Sequence, residues 1–331
     1  MKRFKTFAIA LIAIGTLTLA GCRGSNQSHQ ADDIEILRFD QLMFDTPAQQ
    51  LHQELVRNQG RYNCQLLPVD PANAEYMAQI ADFVQDPVVR EIYDTVQAHY
   101  GNLCWLEHEL TPALRRLQKA YGPSDGPGFD YTKFIAFVSG ALDYDYRVAA
   151  YDGALLISID QYVMPYMEKY AFFGLPMYIV NMCDSTFLLT DCLSAMAQQV
   201  VPVNEMRQML DYMVAAGKTL YMLDIALPKA DDRIKMRYTE DQMGWMKQNE
   251  ADVWAYFVQH KLIFETDFNK FHNFVDEAPK TNAFHDSAPR TAEYIGWQIV
   301  RNYVQNTGCS LQQLLNETNS SDILQKSGYR P

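Results

Sequence analysis

Apolar residues recur every three or four positions through most of this chain, and run together or alternate in a few short stretches. The first spacing predicts amphipathic helices and the second predicts strands. Residues 34–44 alternate and read as a short strand. Pro47 then opens a helix through Leu51, Leu55 and Val56, and a second carries Tyr76, Ile80 and Phe83 on one face. Asp86 followed by Pro87 is an N-cap with proline at the first helical position, leading to Val88, Ile92, Val96 and Tyr100. Residues 102–121 continue the pattern with Leu103, Leu110, Leu114 and Leu117. The first third is therefore a set of helices with short joints.

A glycine- and proline-rich run at 122–128 breaks that period. Residues 133–139, 144–151 and 154–160 read as strands, with Asp152-Gly153 as a hairpin turn. Together they predict one small antiparallel sheet. The helical period returns over 185–200, through Leu188, Leu189, Cys192, Met196 and Ala197. The stretch 204–257 is the densest. Met206, Met209, Leu210, Met213, Val214, Gly217, Leu220 and Tyr221 form one stripe, and Pro228 ends that helix. Gly217 reads as a close helix contact with Lys218 pointing outward. Thr239 and Gln242 fit a capping box, and Asn249 reads as the cap of a further helix bearing Trp254, Phe257 and Val258. Residues 291–304 form another amphipathic helix, and Leu311, Leu314, Leu315, Ile323 and Leu324 mark two short ones. The fold class expected is α+β and predominantly helical, a small antiparallel sheet packed with helices.

The N-terminus changes the picture of where the chain works. Residues 1–5 are basic, 7–20 are almost unbroken apolar, and Leu19-Ala20-Gly21-Cys22 has the form of a lipobox. The apolar run is shorter than the ~20 residues that span a bilayer. The expected organisation is a lipoprotein signal peptide at 1–21, an acylated Cys22 with a polar tether to residue 33, and one globular domain at 34–331. Arg23 after the cysteine does not resemble an inner-membrane retention signal, which favours the outer membrane. The formal charge is −12, and loss of Lys2, Arg3 and Lys5 with the leader takes it to −15. So acidic a chain is repelled by nucleic acid and by anionic lipid surfaces. With Cys22 acylated, five cysteines remain, so at least one is free or pairs between chains.

Candidate chemistry is sparse. None of the seven histidines has a second one four residues on, and none lies between His108 and His260. That removes H-E-x-x-H and any histidine-ligated metal on the sheet or the helix after it. His108-Glu109 is a solvated pair. Asp184, Asp191, Asp231 and Asp232 lack EF-hand spacing and read as surface charge. There is no G-x-S-x-G and no C-x-x-C, and Gly217-Lys218-Thr219 lies late in a helix, where no amides are free to cradle phosphate. No metal and no cofactor is expected.

The second half resembles the gliding-motility lipoprotein GldB family. The resemblance is carried by Ala215-Ala216-Gly217-Lys218, Leu220-Tyr221, Leu227-Pro228, Asp231-Asp232, Tyr238-Thr239, Gln242, Trp245, Asn249-Glu250 and Val253-Trp254. It continues through Ala278-Pro279, Ser287 to Arg290, and Tyr294 to Arg301, with Ile157 to Tyr162 similar to the pattern before the central helix. Where the family has a Pro-Gly-Arg-type turn, this chain has Ala288-Pro289-Arg290-Thr291, keeping the arginine. The resemblance implies an envelope lipoprotein that binds partner proteins of a gliding-motility or secretion apparatus. It also implies a distant kinship to zinc-metallopeptidase-like (zincin-like) domains, with 154–160 as the strand beside the site and 185–199 as a ligand-bearing helix that has lost its metal motif. A partner surface is expected at Lys218, Asp231, Asp232, Asn249, Glu250 and Arg290. The alternatives are an envelope metal-dependent hydrolase with an unconventional site, and ligand capture in a groove lined by Trp245, Trp254 and Trp297.

Overall fold

The Asp152-Gly153 turn does what its residue types require. Both residues have positive φ, 47° and 70°, as a type I′ hairpin needs. A computed structural model describes residues 33–123, 128–140, 147–166, 176–202 and 206–331. In it the turn joins β3 (Val148–Tyr151) to β4 (Ala154–Ser158), paired antiparallel with Tyr151 opposite Ala154. The expected start of that strand, at 144–146, lies outside the described residues, as do Cys22, the rest of the leader and tether through residue 32, and residues 203–205.

The other strand pairings correct the expected antiparallel sheet. β4 pairs on its far edge with β2 (Lys133–Phe137), and β2 pairs with β1 (Ile36–Arg38), both in parallel. The order is β1-β2-β4-β3, so the sheet is mixed. Only β3 and β4 are joined by a two-residue turn, and that turn can make only an antiparallel pair. β1 and β2 are separated by α1 (Phe39–Asp45), α2 (Ala48–Tyr62), α3 (Ala74–Gln85), α4 (Pro87–Tyr100) and α5 (Cys104–Tyr121), a crossover long enough for parallel strands. β3 takes the outer edge and leaves β4 to meet β2 in the same sense. All five residues of β4 are buried, which explains why Ala154 to Ile157 reads as a continuous apolar run and not an alternating one.

A 3-10 segment (Ile159–Tyr166) leads from the sheet into the second half. There follow α6 (Met177–Met182), α7 (Ser185–Val200), α8 (Met209–Ala226), α9 (Asp232–Met236), α10 (Glu240–Gln259), α11 (Phe268–Val275), α12 (Thr291–Thr307), α13 (Leu311–Asn316) and α14 (Ser320–Ser327). The caps are those the residue types call for. Asp86 accepts from the amides of Val88 and Val89, and Thr239 and Gln242 close a reciprocal box. Asn249 is the exception. It lies inside the single helix α10, and its side chain donates to the Trp245 carbonyl one turn back at 2.8 Å. With that bond available within the helix, nothing stops α10 there.

Residues 33–331 form one compact unit, and α8 is its hub. The helix packs against α12 and also against α5, α7, α9 and α14. It is buried on several sides, through Met209, Leu210, Met213, Met222, Leu223 and Ala226. Its closest approach is to α12, where Gly217 faces Gly296. A Cβ on Gly217 would lie 2.4 Å from the Gly296 carbonyl oxygen, and one on Gly296 would lie 1.9 Å from that of Met213. α7 packs on the β3–β4 hairpin and on α8, so it lies between sheet and hub. Among the described residues no helix is long and apolar enough to cross a membrane.

Because backbone is what a new methyl would strike, Gly296→Ala is expected to lower unfolding free energy by about 3 kcal/mol, with Gly217→Ala costing somewhat less. Urea midpoints of the two single variants and the double variant check this. The double is expected to lose less than the sum, because both methyls force the same helix separation.

Candidate functional site

α7 is apolar along most of its length, with Leu188, Cys192, Leu193, Met196 and Ala197 fully buried. Asp191 sits among them, 6% exposed. An unpaired carboxylate would not be tolerated there, and Asp191 is surrounded by donors. Tyr162 O–H donates to Oδ2 at 2.7 Å, Arg147 Nε donates to the same oxygen at 2.9 Å, and Arg237 Nε lies 3.1 Å from Oδ1. Arg237 Nη1 continues to Glu277 at 3.0 Å, and Nη2 donates to the Met182 carbonyl at 3.1 Å. Beside these groups Arg290 donates to Glu293 at 3.2 Å and to the Met236 carbonyl. Three arginines thus meet three carboxylates in the region enclosed by α7, α9 and α12.

Two of the arginines hold strained backbone. Arg237 ends α9 at φ 54°, and Arg290 precedes α12 at φ 48°, both in the left-handed region. That conformation costs a side-chain-bearing residue about 1–2 kcal/mol, and here the buried ion pairs hold it in place. Each guanidinium also lies over an aromatic ring, Arg237 over Phe187 at 5.7 Å and Arg290 over Tyr238 at 5.6 Å.

A second network binds α8, α9 and α12. Asp224 accepts from Trp297 Nε1 at 2.9 Å, from Arg301 Nε at 2.8 Å and from Lys235 Nζ at 2.7 Å. Arg301 also makes a bidentate pair with Asp232 at 2.8 and 2.9 Å and lies 3.6 Å over the Trp297 ring. Burial alone would raise the Asp232 carboxyl, but the Arg301 hydrogen bonds and charge, with Lys235, hold it below its ordinary value of 3.8.

These contacts decide what the region can do chemically. Cys183 and Cys192 are buried free thiols. Burial pushes Cys183 up to about 12 despite Arg147 and Arg237, and burial together with Asp191 pushes Cys192 well above its ordinary value. Neither is a thiolate nucleophile at neutral pH. The zinc that a metallopeptidase-like resemblance would imply does not fit the residues present. Both oxygens of Asp191 are committed, and two guanidiniums stand where a dication would have to sit. Among the described residues no three His, Cys, Asp or Glu side chains are grouped to hold a metal ion.

The residues expected to form a partner surface differ in exposure. Lys218 is 4% exposed and Arg290 8% exposed, so neither belongs to an open surface. Lys218 is buried because α8 has neighbours on the side where the stripe left room for solvent, and Arg290 because its charge is met inside by Glu293. Asp231 is exposed and caps α9 through the Arg233 amide, while half-buried Asp232 is paired with Arg301. Asn249 bonds within α10, and Glu250 accepts from Tyr329 O–H at 2.7 Å, pinning the C-terminal segment. Trp297 is fully buried, so the three late tryptophans do not line one groove. Asp191, read as surface charge, is the centre of the buried cluster. Its signal was a carboxylate flanked on both sides of the helical turn by apolar residues.

Asp191→Ala is expected to cost about 3–5 kcal/mol in urea unfolding, since it strands buried guanidiniums. Pairing it with Arg237→Met is expected to cost less than the sum of the two. The depressed Asp232 carboxyl contributes stability that is present above its unfolded value, near 3.8, and lost as pH falls through the lower folded value. Asp232→Asn is therefore expected to flatten that acid limb in denaturation curves taken from pH 7 downward.

No curated protein and no solved structure matches the chain. A family model does, described as gliding motility protein GldB and spanning residues 23–331. That span holds the Asp191 cluster, the Asp224 network and the glycine crossing together. The chain belongs to the GldB gliding-motility lipoprotein family.

Proposed function

We propose that this protein is a lipid-anchored component of the cell envelope that docks partner proteins of a gliding-motility or secretion apparatus and turns over no substrate. The observation that carries the reading is α7. It packs on the β3–β4 hairpin, the place the metallopeptidase-like kinship gives to a ligand-bearing helix. Its buried carboxylate is spent on Arg147, Arg237 and Tyr162. A scaffold of that ancestry whose central carboxylate is closed by guanidiniums is suited to holding a shape and not to activating water. The family membership supports the motility connection. The lipobox supports anchoring through an acylated Cys22, with a short polar tether and the outer membrane as its site.

Two measurements test this reading. The purified protein is expected to hold no stoichiometric zinc and to cleave no peptide substrates. Zinc retained through gel filtration, with peptidase activity abolished by chelation, would overturn it. In the native host, a deletion strain is expected to lose surface spreading or surface-protein assembly. Cys22→Ser is expected to match the deletion, with the protein released from membrane fractions. A deletion strain with secretion and surface assembly intact would count against the docking role.

A further inference from the structure

One cation in this fold is paired differently from the rest. Lys218, Lys235, Arg237 and Arg290 are the buried lysines and arginines of the described residues. Lys235 pairs with Asp224, Arg237 with Asp191 and Glu277, and Arg290 with Glu293. Lys218 has no carboxylate within ion-pair distance among the described residues. Its Nζ donates only to backbone, to the Glu317 carbonyl at 2.7 Å and to the Leu315 carbonyl at 3.5 Å. Carbonyl dipoles solvate an ammonium without neutralising it, and burial pushes Lys218 down to about 8, which the charge of Glu317 offsets only in part.

This lysine also lines a cavity of about 660 Å³, within the range of small-ligand pockets. Along one wall α8 presents Asp211, Val214, Ala215 and Lys218, the spacing of one helix face over two turns. Asn319 and Ser320, at the turn into α14, form part of the opposite wall. Asp211 and Lys218 are seven residues apart, about 10 Å along the helix axis. The carboxylate of Asp211 is engaged at the helix start, accepting from the Arg207 and Gln208 amides at 3.0 and 3.1 Å.

We infer that this cavity binds a ligand ending in a single carboxylate, with that group seated against Lys218. An ammonium has three donors, and the two carbonyls leave the third for a ligand. Arg207 also lines the cavity but is exposed, so solvent screens its charge. Lys218 is the one buried positive charge of the described lining residues, and it balances a monoanion. A phosphate dianion would set its second charge against a single buried ammonium. Asp211 repels a second acidic group placed about two helical turns from the first, so a dicarboxylate of that length is disfavoured. The terminal carboxylate can belong to a small free acid or to a peptide C-terminus.

Calorimetric titration of the full-length, detergent-solubilised protein separates these sources. The probes are butyrate, N-acetyl-trialanine with a free carboxylate, and the same peptide as its C-terminal amide. At least one free acid is expected to bind and the amide is not. Comparable binding of butyrate and peptide assigns a small acid, and binding of the peptide alone assigns a C-terminus. Lys218→Met keeps the apolar stem and removes the charge, and is expected to weaken binding about thirtyfold or more. Ala215→Phe fills the cavity without altering the lysine and is expected to abolish binding while leaving thermal unfolding within a few degrees of the parent, which keeps the test informative if the lysine variant fails to fold. No binding by either acid, equal binding of the amide, or undiminished binding to a folded Lys218→Met or Ala215→Phe protein would overturn the inference.

Discussion

The crossing of α8 over α12 sets the positions on which everything else depends. At Gly217 and Gly296 no side chain separates the two helices, and the backbones meet directly. Seven residues beyond Gly217, Asp224 is thereby delivered to Trp297 and Arg301, which follow Gly296 by one and five residues. Six residues before Gly296, Arg290 reaches the Met236 carbonyl and draws α9 inward. Lys218, next to Gly217, is carried the other way, to the carbonyls at the end of α13. Helices kept farther apart by one methyl group would loosen all three sets of polar contacts together.

Those contacts are charged, and that is a costly way to hold a core. Replacing a buried ion pair by apolar residues of similar volume is often neutral or stabilising, whereas removing one partner costs several kcal/mol. Asp191, Arg147, Arg237, Glu277, Arg290 and Glu293 therefore contribute less to net stability than to choosing among packings. Any arrangement that brings α7 to α9 and α12 in another register strands a charge. The two left-handed arginines follow from the same constraint, because each backbone position is the one that lets a guanidinium reach its carboxylate. The proposed docking role would gain from a single well-defined surface, which buried charges of this kind favour.

Much of this was legible in the chain. The hairpin at Asp152-Gly153, the Asp86 cap, the Thr239 box and the α8 stripe from Met209 onward rest on local stereochemistry and formed where their residues require, while Met206, expected on that stripe, precedes the helix. Sheet direction was not legible, because it depends on which edge of β4 faces β2 after a long crossover, and no local pattern encodes that. The unbroken apolar run from Ala154 to Ile157 was the available hint. The burial of Lys218 is hidden in the sequence for a related reason. Lysine is almost never fully buried, so an outward position was the natural reading of a charged residue beside the stripe. Yet Val214, Leu220, Met222 and Leu223 surround it along α8, and a helix apolar on that many sides has little solvent face to offer. The same general tendency of carboxylates to be solvated hides Asp191, on a helix with still less polar surface.

The placement of charge also bears on how the protein meets its surroundings. The arginines and lysines of the two networks are matched by carboxylates at short range and cancel locally. The acidic excess that makes the formal charge −12 is left to the remaining surface. That surface gains nothing from an anionic bilayer, so on the proposed reading attachment to a membrane falls to the acyl anchor and not to the body of the protein. Screening confines its repulsion to roughly 8–10 Å at physiological salt. Inside the Lys218 cavity the opposite holds, since a unit charge pair at 4 Å and an effective dielectric near 20 is worth about 4 kcal/mol before desolvation. On the two proposals made above, the exterior would govern encounter with large partners and the interior lysine the retention of a small acidic group, two roles separated on one molecule.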